Sequence, residues 1–251
     1  MKSFYQYLLL LLFLTGCRKD EAVYPFDEDL IRAVRYNSTE GIRSAHEDLY
    51  HYGAGRRLKR VDQYFRDGQT GERVLGRYQT YTYDSRGRLT VKMDFSRLKI
   101  GPWYSAQQWR YTYPAAGRVV ETSYLTSTED PAWEQRTSFS ETLLENNQPR
   151  QVRYFTRDSL LLGTYRYTYS AGRKQSESYF NTDSTQSWRT TYTYQGRTVE
   201  VETQSRGGLP GKRRQTLDER GRVVRDEVVY DQATQARFNR GPDVYLYEYA
   251  R

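Results

Sequence analysis

Gly-Arg recurs along this chain at Gly55-Arg56, Gly87-Arg88, Gly117-Arg118, Gly172-Arg173, Gly196-Arg197 and Gly221-Arg222, with a degenerate copy at Pro149-Arg150. The intervals are 32, 30, 32, 23, 24 and 25 residues. A period of this size marks a repeat architecture, in which each unit buries its faces only against its neighbours. Alternating aromatics precede most copies: Tyr50 and Tyr52, Tyr81 and Tyr83, Tyr111 and Tyr113, Tyr165 to Tyr169, Tyr192 and Tyr194. The chain closes on the same theme with Tyr245, Tyr247 and Tyr249. Period-two alternation puts every tyrosine of a run on one face of a strand and leaves the intervening Thr and Arg on the other.

After each turn a second alternating run follows, clearest as Leu89, Val91, Met93 and Phe95 against Thr90, Lys92 and Asp94. In Asp84-Ser85-Arg86-Gly87 the carboxylate can accept backbone N–H groups and the glycine can take positive φ. That is a type I turn closing on a glycine bulge, repeated at Asp218-Glu219-Arg220-Gly221. Each repeat is therefore one β-hairpin plus a looser return loop, such as Asp67-Gly68 or Asn181-Thr182-Asp183. The meander is expected to start with Leu30–Tyr36 pairing to Ile42–Tyr52, against a competing short helix over Asp27–Arg35. The sequence thus predicts an all-β fold: a single curved antiparallel meander of about 16 strands of roughly 6 to 11 residues each. Laid flat it would span roughly 75 Å, which twist disfavours, so an open coil or half-barrel is expected.

Composition explains how such a sheet could be held. Downstream of residue 16 there are 15 Leu, 15 Val, 3 Ile and 1 Met but 23 Tyr, and the mean hydropathy of the chain is −0.94. Few aliphatics fit a thin sheet whose rings bury area while their hydroxyls stay wet. The abundance of aromatics argues against disorder. Arginine outnumbers lysine 32 to 7, with a formal net charge of +8. Guanidinium stacks on aromatic faces and forks onto carboxylates, so a solvated face laced with Arg–Glu and Arg–Asp cross-strand pairs is the first reading. A binding face for an anionic partner is the second. A membrane-spanning barrel would need apolar lipid-facing positions, and here the face opposite the tyrosines is Thr, Arg, Gln and Glu.

The first 17 residues carry an address. Lys2 precedes an apolar run from Leu8 to Leu14, too short for a bilayer span, that ends at Thr15-Gly16-Cys17. Cys17 is the only cysteine. The arrangement resembles the bacterial lipobox, which implies a signal peptide over 1–16 (entering as a signal helix), cleavage between Gly16 and Cys17, and lipid attachment to Cys17. Residues 17–28 read as a lipidated polar tether and 29–251 as the repeat domain. Arg18 rather than aspartate follows the cysteine. Lys19-Asp20-Glu21 resembles the lysine-plus-two-acids surface-export signal of some Gram-negative lipoproteins. An outer-membrane lipoprotein, exposed on the cell surface or alternatively facing the periplasm, is the expectation. Export lowers the prior for a nucleic-acid partner.

Tyr81-Thr82-Tyr83-Asp84-Ser85-Arg86-Gly87-Arg88-Leu89 resembles the core of the RHS/YD-repeat family, whose pattern is tyrosine-aspartate, two variable residues, then glycine-arginine. Only Gly221-Arg222 among the other copies keeps the aspartate in register, and there Leu217 replaces the tyrosine. The family builds long curved ribbons of hairpins, sometimes shells around a toxin; the resemblance implies the bent hairpin sheet and not the toxin role.

Chemistry is sparse. His46 and His51, the only histidines, fall on opposite sides of one strand, and no cysteine is free to join them, so no metal site and no cofactor are expected. No Gly-x-Ser-x-Gly occurs, and the adjacent carboxylates Glu47 with Asp48 and Glu129 with Asp130 would face opposite ways. Trp103, Trp109, Trp133 and Trp188 are the candidate ligand contacts, as a sugar-stacking or protein-docking patch, against ordinary packing. The expectation is a non-enzymatic, membrane-anchored lipoprotein presenting an Arg/Tyr-rich sheet to a glycan or protein. The alternatives are a carrier holding an apolar molecule in a concave, uncharged groove, and a hydrolase.

Overall fold

The computed structural model describes residues 30–37, 41–67, 70–96, 104–126, 134–206, 211–230 and 243–250. The signal segment, the cleavage site Gly16-Cys17, the Lys19-Asp20-Glu21 signal, Trp103, Glu129, Asp130 and Trp133 lie outside these residues. Sixteen strands follow one another: β1 (Leu30–Asn37), β2 (Gly41–Tyr52), β3 (Leu58–Arg66), β4 (Arg73–Tyr83), β5 (Leu89–Ser96), β6 (Tyr104–Ala115), β7 (Arg118–Thr126) and β8 (Glu134–Glu145) form the first half. The second half is β9 (Gln148–Thr156), β10 (Leu161–Ser170), β11 (Arg173–Phe180), β12 (Gln186–Gln195), β13 (Thr198–Ser205), β14 (Gly211–Leu217), β15 (Val223–Val229) and β16 (Asp243–Tyr249). The strand count and the all-antiparallel meander agree with the sequence reading, and Leu30–Arg35 is strand rather than helix.

The openness does not. The sheet is a closed barrel, because β16 pairs with β1 from Leu30↔Tyr249 to Asn37↔Asp243. Arg35–Asp243 and Arg32–Glu248, both at 3.3 Å, reinforce that join. Closure removes the two free edges an open ribbon would leave. The curvature it needs comes from bulges. Register shifts sit between Thr82 and Tyr83, between Asp94 and Phe95, between Ser123 and Tyr124, and between Thr216 and Leu217, among others. Each one bends and twists its strand. A cylinder of sixteen strands tilted about 40° has a backbone radius of roughly 16 Å, at which side chains line a lumen rather than fill it. The substantial strand-to-strand contacts run only between ring neighbours, as a hollow wall requires.

The turn chemistry is as the sequence implies. Gly87 has φ +83°, its N–H donates to the Asp84 carbonyl at 3.0 Å, and the Asp84 carboxylate accepts the Arg86 and Arg88 N–H groups at 2.9 Å. Asp218 does the same for Arg220 and Arg222. The degenerate copy turns earlier, at Asn146-Asn147, both left-handed, which leaves Pro149 inside β9. All these tight turns lie at one rim of the barrel, and the strand ends that the return segments connect lie at the other.

The two faces are chemically distinct. The tyrosine face is turned inward with Leu58, Val61, Tyr81, Leu89, Tyr111 and Val119 forming one buried patch, and Val199, Val201 and Leu217 another. Outside run arginine–carboxylate pairs: Arg32 and Arg73 on Glu47, Arg118 and Arg153 on Glu141, Arg110 on Glu134, Arg214 on Glu200. The Arg/Tyr surface expected from the sequence is therefore split between the two sides of one wall. One assignment of faces is corrected. The bulge at Tyr83 pairs it with Leu89 while Thr82 pairs with Val91. Leu89 thus joins Lys92 and Asp94 in the lumen, and Val91, Met93 and Phe95 face out, where Phe95 stacks on Tyr78 at 4.6 Å.

Candidate functional site

The lumen wall is the candidate site, and its tyrosines fall into two groups. At the tight-turn rim a tyrosine near the end of a strand reaches across to the first or second residue of the preceding strand. Tyr52, Tyr83 and Tyr113 donate to the carbonyls of Leu30, Leu58 and Leu89 at 2.8, 2.8 and 2.9 Å. Tyr194 and Tyr249 do so to Lys174 and Val223 at 3.0 and 2.8 Å. Where leucine replaces that tyrosine, a backbone bond serves: Leu144 N–H donates to the Gly117 carbonyl and Leu217 N–H to that of Arg197, both at 2.7 Å. The repeat's arginine completes the latch. Arg88 donates its Nε–H to Asp84 at 2.8 Å and lies over the Tyr113 ring at 4.4 Å; Arg222 bonds Asp218 at 2.7 Å and covers Tyr249 at 4.2 Å. Tyrosine, aspartate and arginine of the repeat are thus one device that joins successive hairpins.

Deeper in the lumen most of the rings are not latched. Tyr154, Tyr165, Tyr179 and Trp188 occupy four consecutive strands, β9 to β12. Tyr165 meets Tyr154 at 5.3 Å, Tyr179 at 4.9 Å and Trp188 at 5.4 Å; Tyr179 and Trp188 are near-parallel at 6.4 Å. Gly163 leaves room for this cluster: a Cβ there would lie 2.2 Å from the Tyr179 hydroxyl, which donates instead to the Leu162 carbonyl at 3.2 Å. The hydroxyls of Tyr154, Tyr165 and Tyr167 have no hydrogen-bond partner among the described residues, and Tyr154 is 38% exposed. Burial pushes the Tyr154 phenol up to about 12 and that of Tyr167 further. Beside the rings, Lys174 bonds Glu177 at 2.9 Å and lies over Tyr192 at 4.6 Å. Burial works against its ammonium, yet hydrogen bonds to Tyr192 and Glu177 outweigh that and leave its pKa raised.

Charge is balanced around the wall. Arg77 makes a two-pronged pair with Asp94, and Arg213 another with Asp226, to which Gln215 also donates at 2.9 Å. Both carboxylates are almost completely buried. Lys92 lies over Trp109 at 4.4 Å, and burial lowers its pKa. Toward the return-loop rim a cavity of about 500 Å³ is lined by Arg35, His46, Asp48, Phe65, Arg77 and Tyr245 among others. Burial raises the Asp48 carboxyl there.

Of the four tryptophans singled out from sequence, the two described ones, Trp109 in β6 and Trp188 in β12, both face the lumen, on separate stretches of wall and not as one rim patch. His46 lines the cavity while His51, on the outer face, lies 3.0 Å from Asp62, so the histidines do diverge. Glu47 faces out and Asp48 in. Among the described residues no cluster of three metal-ligating groups occurs. The lumen charges went unread in the sequence. Lys92 and Asp94 alternate with apolar residues, a pattern that reads as an outer face until the bulge is placed.

No known protein family and no curated protein matches the chain. Among solved structures, a porin-like protein from Bacteroides uniformis is similar over 91% of this chain and 99% of that one, at 11% identity and a TM-score of 0.45. A protein of unknown function from Bacteroides fragilis is similar over 49% of this chain and 90% of that one, at 14% identity and a TM-score of 0.40. The TcdB2-TccC3 structure is similar over 80% of this chain and 13% of that one, at 12% identity and a TM-score of 0.32. None of these likenesses is strong enough to carry a function to this chain.

Proposed function

We propose that this protein is an envelope lipoprotein, anchored through Cys17 and displayed outside the cell by Lys19-Asp20-Glu21, whose barrel holds a glycan in its lumen and catalyses nothing. The observation that carries the reading is the half-exposed Tyr154–Tyr165–Tyr179–Trp188 wall beside the Lys174–Glu177 pair. Flat rings offer stacking to sugar C–H faces, and free phenols with a neighbouring ion pair offer both donors and acceptors to hydroxyls. An apolar cargo is less well served, because Arg77, Asp94, Lys92, Glu177 and Arg213 interrupt the lining. The outward arginine–carboxylate pairs favour a tethered barrel over a membrane-embedded one. Titration of the mature protein with a panel of envelope and capsular polysaccharides, read by tryptophan fluorescence, tests it. A saturable change that disappears in Trp188→Phe is the expected result. A flat response to every polysaccharide, with the barrel intact by circular dichroism, refutes it.

A further inference from the structure

We infer that the tight-turn rim of the barrel is a docking surface for the phosphate-bearing headgroups of an anionic lipid layer. This rests on the lipoprotein reading only for its biological setting; the surface itself is a property of the barrel.

Three observations converge. Topology gathers every tight turn at one rim, so the repeated Gly-Arg places an arginine there at each hairpin. Over the turn segments 53–57, 84–88, 116–118, 145–150, 171–173, 196–197 and 218–222 there are ten arginines against four carboxylates. Those carboxylates are largely engaged: Asp84 holds Arg88, Asp218 holds Arg222 and Glu145 holds Arg150. Arg57, Arg86, Arg173 and Arg197 are exposed and form no ion pair among the described residues. They come from four different turns, so the surplus positive charge is spread around the ring rather than gathered at one point.

The opposite rim differs. Its described loops mix both signs, with Asp67, Glu72, Asp158 and Asp183 beside Arg66, Arg157 and Arg206. Among the described residues, the surplus of positive charge therefore sits at the tight-turn rim.

The chain enters the barrel at the basic rim, since β1 begins at Leu30, whose carbonyl is held by Tyr52 beside the first tight turn. Residues 18–29 extend at most about 40 Å, long enough for a tethered barrel to tumble. The lipid on Cys17 would hold the chain to the bilayer but leave the barrel's orientation free, and a basic patch supplies a second contact that fixes it. Guanidinium forks onto phosphate, and each basic side chain near an anionic surface adds attraction that salt screens. The basic rim would fix the barrel with its base on the membrane and the Asp48–Arg77 cavity facing away.

The test uses the mature chain from residue 17 with Cys17→Ser, which carries no acyl group and keeps every barrel residue. Co-sedimentation with vesicles containing 30% phosphatidylglycerol is compared with purely zwitterionic phosphatidylcholine vesicles. Binding to the anionic vesicles alone, lost at 0.5 M salt, is expected. Removing Arg86, Arg173 and Arg197 together as glutamines should weaken it about 100-fold, at about five-fold per arginine. The triple Arg66→Gln, Arg157→Gln, Arg206→Gln has the same net charge but alters the opposite rim, and it should bind within about two-fold of the parent. Equal loss in both triples, equal binding to both vesicle types, or tighter capture by soluble heparin than by vesicles would overturn the inference. Matching thermal unfolding of the two triples guards against misfolding. Fatty-acid labelling of the parent at Cys17 is scored separately, so a failed anchor and a failed rim are told apart.

Discussion

The tyrosine latch predicts a sharp difference between tyrosines that look alike in sequence. Tyr83 donates to the Leu58 carbonyl at 2.8 Å across the end of the β3–β4 pair, beyond the last backbone pairing at Arg60↔Thr80. Tyr83→Phe keeps the ring, its packing and its place under the rim, and deletes only that bond. The net cost of a lost neutral hydrogen bond is about 1 kcal/mol, rising toward the upper end if water does not replace the donor at the Leu58 oxygen. For a domain of this size that is a fall in Tm of about 2–4 °C. Tyr165→Phe removes a hydroxyl with no partner among the described residues and should leave Tm within about 1 °C. The five latches have five different acceptors, so each phenylalanine removes a separate bond and the effects should add to first order, although Tyr52, Tyr83 and Tyr113 pack against one apolar cluster. Replacing Tyr52, Tyr83, Tyr113, Tyr194 and Tyr249 together should cost about 5 kcal/mol, a large share of the roughly 5–15 kcal/mol net stability of a domain. Urea denaturation followed by near-ultraviolet circular dichroism measures both the single and the combined variants. If Tyr165→Phe costs as much as Tyr83→Phe, or the five-fold variant unfolds at the parent's midpoint, the latch contributes nothing and the reasoning fails.

Two further outcomes concern pH. Burial raises the Asp48 carboxyl, so its ionised form is disfavoured in the folded state and stability is lost as pH rises above the ordinary carboxylate value of about 4. Asp48→Asn should therefore be more stable than the parent at pH 7 and indistinguishable from it at pH 3.5; an equal gain at both values in thermal melts would exclude a charge origin. Burial also pushes the phenols of Tyr113 and Tyr154 up to about 12, and those of Tyr50, Tyr81 and Tyr167 higher still. Absorbance at 295 nm should then show a group of tyrosines un-ionised at pH 11 in the folded protein, merging into one class near pH 10 in guanidinium; a single class in both conditions would refute the buried setting.

The proposed base-down orientation and the glycan-holding lumen fit together mechanically. The latched rim is the stiff end, where successive hairpins are joined by the hydroxyls of Tyr52, Tyr83, Tyr113, Tyr194 and Tyr249 and, at Leu144 and Leu217, by backbone bonds. The unlatched rings and the charged cavity lie farther along the axis, toward the return loops. A ligand entering from that side meets Tyr154, Tyr165 and Trp188 without disturbing the bonds that hold the ring of strands together.

Much of this was legible in the residues alone. Alternation of Tyr with Thr fixes which side chains share a face, and Asp-x-x-Gly fixes the turn, because both are local consequences of strand geometry and of a glycine at positive φ. The strand number followed from counting those signals. Three things could be decided only by the assembled barrel. Whether the ribbon closes depends on the summed curvature of many bulges and on β16 finding β1, a pairing between residues more than 200 apart in the chain. Which side of the Leu89–Ser96 strand looks inward depends on one bulge that shifts the pairing by a single residue, and a shift of one exchanges every side chain between the faces. Which tyrosines are structural and which are available depends on whether a carbonyl stands opposite the hydroxyl, and that is set by the neighbouring strand and not by the tyrosine's own sequence.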